Sequence, residues 1–173
     1  MEKTGIVFGC FIPLHDGHIS VMNKALKEND KLYIVVCGHK GDRGDSFIPF
    51  EDREMLMKKF IKCYYPTQVQ NIIFVVSVDD FNIHPDGDFS KVSWDGWINE
   101  FFKASKACTN DIYTWYTGEE NYVSEMKKTR PNDNFILMDR SIIQISGTMI
   151  RDNLDKYGYH VPLVYLNYLK ERE

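Results

Sequence analysis

Five short runs rich in β-branched and aromatic residues, separated by helical patterns, constrain this chain more than any other feature. They cover residues 5–9, 32–37, 72–77, 112–117 and 135–138. Each is almost continuously apolar rather than alternating, which suits parallel strands buried on both faces. The helical patterns cover 19–27, 51–64, 94–105, 119–128 and a closing segment, 162–172. Strand–helix alternation predicts an α/β fold: a five-stranded parallel sheet of Rossmann-like type, helices on both faces, joined by right-handed crossovers. No internal repeat or Pro-rich linker interrupts the pattern, so one domain over residues 1–173 is expected. Ligands on such sheets bind beyond the carboxyl ends of the strands.

Composition narrows the class. A net charge of −4 with no basic block removes the sequence-wide electrostatic case for nucleic-acid binding. No apolar run approaches the length needed to span a bilayer, and the N-terminus lacks a signal-peptide pattern, so no membrane partner is expected. Cys10, Cys37, Cys63 and Cys108 include no C-x-x-C pair, and reduced thiols in a cytoplasmic protein is the reading they favour. Two segments break the alternation. Residues 39–50, rich in Gly, Asp, Lys and Arg, read as a mobile loop, and residues 79–93 as a long turn-rich connection.

The first strand runs into Gly9-Cys10-Phe11-Ile12-Pro13-Leu14-His15-Asp16-Gly17-His18 and then a helix. A helix start presents unpaired N–H groups and the positive end of a dipole, and therefore attracts anions. Two imidazoles three residues apart would add ring N–H donors there. As zinc ligands they lack companions at ligand spacing. Beyond the fifth strand lies Ile145-Ser146-Gly147-Thr148-Met149-Ile150-Arg151. Ser146 is a natural N-cap, Gly147 permits close backbone approach, and Arg151 falls one turn on, where its guanidinium could point at a phosphate. An ordinary capped helix is the plain alternative.

These two stretches resemble the G-x-F-x-P-x-H-x-G-H and I-S-x-T-x-x-R patterns of the nucleotidylyltransferase superfamily. With Ile12 where other branches commonly carry Asp, the chain is similar to nicotinamide-mononucleotide (NMN) adenylyltransferases, above all to the adenylyltransferase part of NadR-type proteins. The likeness continues through Asp95-Gly96-Trp97 and Tyr116-Thr117-Gly118-Glu119-Glu120. It implies transfer of AMP from ATP to the 5′-phosphate of NMN, forming NAD and pyrophosphate, with Mg²⁺ carried on the ATP phosphates and no metal held by the protein itself. It also implies roles: His15, His18 and Arg151 at the reacting phosphates, with Gly9, Phe11, Gly17, Ser146 and Thr148 shaping the ATP site. Trp97, Asp95 and Arg53 would face the acceptor.

Each acceptor assignment has an alternative: core packing for Trp97 (with Trp94 as second choice), a solvated helix start for Asp95, a surface ion pair for Arg53. Another phosphate acceptor, such as nicotinic acid mononucleotide or phosphopantetheine, and a non-catalytic nucleotide sensor remain open, as does a homo-oligomer. Two departures stand out. Relatives often carry Arg or Lys where this chain has Cys10, a loss that Lys40 or Arg43 could make good. The 139–145 segment is short, which leaves Arg140 unaligned. The chain has no G-x-x-x-x-G-K-[ST] loop, so neither a kinase domain nor a helix-turn-helix is expected.

Overall fold

The computed structural model describes residues 1–81, 83 and 94–172. The five expected strands form one parallel sheet in the order β3-β2-β1-β4-β5. They are β1 (Thr4–Gly9), β2 (Lys31–Gly38), β3 (Ile73–Asp79), β4 (Tyr113–Thr117) and β5 (Asn134–Leu137). The helices are α1 (Asp16–Glu28), α2 (Phe50–Tyr64), α3 (Trp94–Ser105), α4 (Glu120–Thr129), α5 (Gly147–Asp152), α6 (Leu154–Tyr157) and α7 (Leu163–Glu171). Most of the 79–93 connection lies outside the described residues.

Two apolar layers sandwich the sheet. On one face Met22 and Ala25 of α1, Leu56, Met57, Phe60 and Ile61 of α2, and Tyr165 and Leu169 of α7 close over Val7, Ile34 and Val36. On the other, Trp97, Ile98, Phe101 and Phe102 of α3 and Met126 of α4 cover Ile6, Val35 and Trp115. Strand alternation sorts the side chains between them: even-numbered Ile34 and Val36 serve the first face, odd-numbered Val35 and Cys37 the second. The edge strand β5 is the exception, with Asn134 and Leu137 exposed.

The chain winds outward from β1 through β2 to β3, then returns to lay β4 on the other side of β1. The sheet order therefore reverses between β1 and β4, and at such a switch point loops leave in opposite directions and open a crevice. The register Val7↔Tyr116, continued two residues, brings Gly9 level with Gly118 at that crevice.

The segment expected to be a mobile loop, 39–50, is wound instead into hydrogen-bonded turns. Asp42 accepts from the N–H groups of His39 and Gly44, and Asp45 accepts from Phe50 N–H. Short acidic side chains bonding to nearby backbone stabilise turns of this kind.

Candidate active site

Both glycine-bearing motifs sit at the crevice, and they touch. Arg151 Nη1 donates to the carbonyl of Ile12 at 2.7 Å, across 139 residues of sequence, while Nη2 donates to Thr148 Oγ1 at 3.2 Å. Gly147 makes the approach possible: a Cβ there would lie 3.1 Å from Ile12 O and 2.9 Å from Arg151 Nη1. Ser146 caps α5, its Oγ accepting from Met149 N–H at 3.2 Å.

The first motif folds tightly on itself. Phe11 adopts φ 52°, a left-handed conformation unusual for an aromatic residue and typical of strained functional turns. Its ring folds back against Gly9, where a Cβ would lie 3.4 Å from the ring, and meets His18 edge-on at 4.9 Å between centroids. The Ile12–Pro13 peptide is cis. His15 then caps α1: its Nδ1 accepts from Gly17 N–H at 3.1 Å, while His18 Nδ1 accepts from His15 N–H at 3.2 Å. This reciprocal arrangement has the logic of a capping box, with imidazoles in place of the usual hydroxyl and carboxylate. Gly17 is required beneath it, because a Cβ there would come within 2.9 Å of the His15 ring.

The capping bonds fix a chemical state. An Nδ1 that accepts carries no proton, so each neutral ring bears its hydrogen on Nε2. Burial, opposed by Asp16 and reinforced by His160 and Arg140, holds His15 down to about 4. Burial, helped by His15 and Arg140, holds His18 well below the usual histidine range. The rings stack with centroids 3.8 Å apart, a packing two imidazolium ions would resist. At neutral pH the motif thus supplies two uncharged Nε2–H donors. On α1's flank, His160 Nδ1 pairs with Asp16 Oδ2 at 2.9 Å and ties the C-terminal segment to the site.

Gly9, Phe11, His15, Gly17, His18, Ser146, Thr148 and Arg151 therefore belong to one connected cluster at the crevice. The three residues expected at the acceptor do not join it. Arg53 is not a surface ion pair: it is 1% exposed and forms a bidentate pair with Asp42 at 2.6 and 2.7 Å. Its Nε donates to Ile48 O and its Nη1 also to Cys37 O. With four N–H donations made inward, it holds the 39–48 turns onto β2. Trp97, 2% exposed, lies in the core between Phe8 and Trp115, at 5.1 and 6.2 Å. Asp95 is exposed and bonded to Thr129 Oγ1, which links the start of α3 to the end of α4.

The outer edge of this aromatic group is Trp94, half-buried and 4.8 Å from the ring of Tyr122. Tyr122 feels the charges of Glu119, Arg43 and Arg140 and also stacks on Phe8 of β1; nothing in its spacing on the polar α4 distinguished it beforehand. Arg43 is exposed, and its charge reaches both Cys10 and Arg151. Burial pushes the Cys10 thiol up to about 11, so at neutral pH Cys10 is an uncharged wall residue. Arg140, unaligned in the sequence, lies over Gly118 and pairs with Glu119 at 2.8 Å. Among the described residues no group of three or more His, Cys, Asp or Glu could hold a metal ion, and no helix is long and apolar enough to cross a membrane.

A switch-point crevice lined by N–H donors from two helix starts is an anion site of the nucleotide-binding kind. The cytidylyltransferase-like family model matches residues 6–153, and the chain belongs to that family. Over 93% of its length it is 29% identical to the trifunctional NAD biosynthesis/regulator protein NadR of Escherichia coli, of which it covers 39%. A crystal structure of NadR protein in complex with NR superimposes with a TM-score of 0.76 at 29% identity, over 95% of this chain and 44% of that one. A probable nicotinate-nucleotide adenylyltransferase of Bacteroides fragilis is 24% identical over 99% of this chain and 93% of its own length. The chain thus spans about two fifths of the NadR proteins it matches. The fold is that of nucleotidyltransferases, and the relatives include both proteins of NAD biosynthesis and phosphopantetheine adenylyltransferases, such as one of Streptococcus pneumoniae that is 31% identical over 35% of this chain and 36% of its own length.

Proposed function

We propose that this chain transfers AMP from ATP to the 5′-phosphate of nicotinamide mononucleotide, forming NAD and releasing pyrophosphate. The observation that carries the reading is the Arg151–Ile12 contact, which joins the two phosphate motifs into one cleft at the switch point. An acceptor phosphate oxygen attacks the α-phosphorus of ATP, the bond to the bridging oxygen breaks, and pyrophosphate leaves. The acceptor is already ionised near neutral pH, so the reaction needs positioning and charge stabilisation rather than a strong base. The Nε2–H groups of His15 and His18 donate to α- and β-phosphate oxygens as charge accumulates. Arg151, Thr148 and Ser146 hold the leaving pyrophosphate, with Gly9, Phe11 and Gly17 setting the backbone shape. Arg43 supplies the cation that Cys10 does not.

The described donors are N–H and hydroxyl groups suited to anions, not a carboxylate cage. Magnesium on this reading enters with ATP as part of the substrate, and no protein step runs through it. For the acceptor, Trp94 and Tyr122 offer the accessible aromatic edge, backed by the buried Trp97, and Asp95 lies beside them. A pyridinium ring over an indole face gains roughly 0.5–2 kcal/mol. The choice of NMN rests on the NadR likeness; the Bacteroides relative favours nicotinic acid mononucleotide as second reading.

The test is an acceptor panel. Protein and Mg-ATP are incubated with NMN, nicotinic acid mononucleotide or phosphopantetheine, and pyrophosphate and coupled product are measured. The highest kcat/KM is expected with NMN. A preference for another acceptor would reassign the substrate, and nucleotide binding without pyrophosphate from any of them would leave a sensor.

A further inference from the structure

From the seating of its guanidinium, we infer that Arg140 is a further catalytic residue, held on Glu119 in the free protein and passing to the phosphates of bound ATP. The inference rests on the adenylyl-transfer reading above and adds a cation that neither phosphate motif contains.

Three independent placements lead to it. Arg140 follows β5 by three residues, so it leaves the sheet at the carboxyl edge, beside the end of β4. Its side chain does not extend into solvent away from the protein but lies across Gly118, where a Cβ would come within 2.2 Å of Nε and 3.0 Å of Nη2. Gly118 has no left-handed torsion to explain its identity; the space above it is what Arg140 uses. Gly118 is also the residue level with Gly9 across the switch point, which puts the guanidinium at the β4 wall of the crevice.

Among the described residues its ion-pair partner is Glu119, at 2.8 Å, with 69% of the Arg140 side chain and 42% of that of Glu119 exposed. Exposed pairs of this kind exchange partners readily. A triphosphate offers several anionic oxygens where Glu119 offers one carboxylate, and guanidinium matches phosphate in bidentate fashion. The charge of Arg140 is felt by both His15 and His18 in the first phosphate motif. Arg151 is tied to the first motif elsewhere, through Ile12 O. Arg140 and Arg151 would then both neutralise the triphosphate, with Glu119 preventing the arginine from repelling its neighbours while the site is empty.

The experiment compares wild type, Arg140→Ala, Arg140→Lys and Glu119→Gln in NMN-dependent pyrophosphate release, with and without added guanidinium chloride below denaturing concentration. Arg140→Ala is expected to lower kcat roughly tenfold to a hundredfold, the scale of losing one transition-state contact. Guanidinium ion should restore part of that loss, and Arg140→Lys should fall between the two. Glu119→Gln, which releases the arginine, should lower the KM for ATP. If the alanine variant keeps kcat within about twofold of wild type, or its loss is indifferent to guanidinium, the inference is overturned. A wild-type protein with no activity toward any acceptor would instead overturn the reading beneath it.

Discussion

In the proposed reaction, His15 and His18 each do two jobs with two nitrogens. Nδ1 of each ring is spent on the backbone of the turn, and that expenditure sets the tautomer that leaves Nε2–H for an anion. Neutral donors have an advantage at this position: they need not lose or gain a proton during turnover. The same burial has a consequence for stability. The unfolded chain protonates a histidine near 6.5, whereas folded His15 does so only near 4. Between those values the unfolded state binds more protons, so stability falls as pH drops through that window and this contribution is level above it. The loss from His15 is on the order of 3 kcal/mol. Urea midpoints measured from pH 7 to pH 4 should decline, and His15→Asn, which keeps a capping oxygen, should flatten the decline. An unchanged slope in that variant would mean the histidine is not titrating in this way.

At the scale of elements, the unexpected part is how the 39–50 segment is held. Gly, Asp, Lys and Arg in a row look alike whether a loop is loose or turn-bound; what decides is Arg53, eleven residues beyond Asp42 and on another element. Its buried bidentate pair cannot be read from local composition, since it depends on α2 lying over the end of β2. The backbone of Gly38, with φ 139°, also bends there, and a Cβ would lie 2.2 Å from Arg53 Nη1. Removing one partner of a buried pair strands the other charge, at a cost of about 3–5 kcal/mol. Arg53→Ala should lower unfolding stability by about that much, and because the 39–48 turns carry Arg43, activity should fall as well. A stability loss within the range of an ordinary surface substitution, ~0.5 kcal/mol, would show that Asp42 finds another partner.

For the molecule as a whole, the sheet and its helices were legible because apolar runs and periodicity are local properties. Strand ends shifted by a residue or two, and α3 kept its bounds of Trp94–Ser105. The two glycine-bearing motifs were legible for a similar reason: each is a contiguous strand–turn–helix or capped helix start, complete within ten residues. The packing of the residues expected at the acceptor was not. Trp97 and Trp94 differ by three positions on α3, and only the packing of Phe8 and Trp115 decides which is buried. Arg140 depended on a shortened segment folding over a glycine two elements away. Long-range side-chain placement, not secondary structure, is where sequence reading stopped.

The proposed reaction requires a triphosphate held between two motifs that the fold brings together, with neutral histidine donors at the reacting phosphorus. The most direct measurement is the rate of NMN-dependent pyrophosphate release by His18→Ala against wild type, with both proteins checked for equal folded fraction. A loss of at least about a hundredfold in kcat is expected, the scale of removing one preorganised donor. Near-normal turnover in the variant would contradict it.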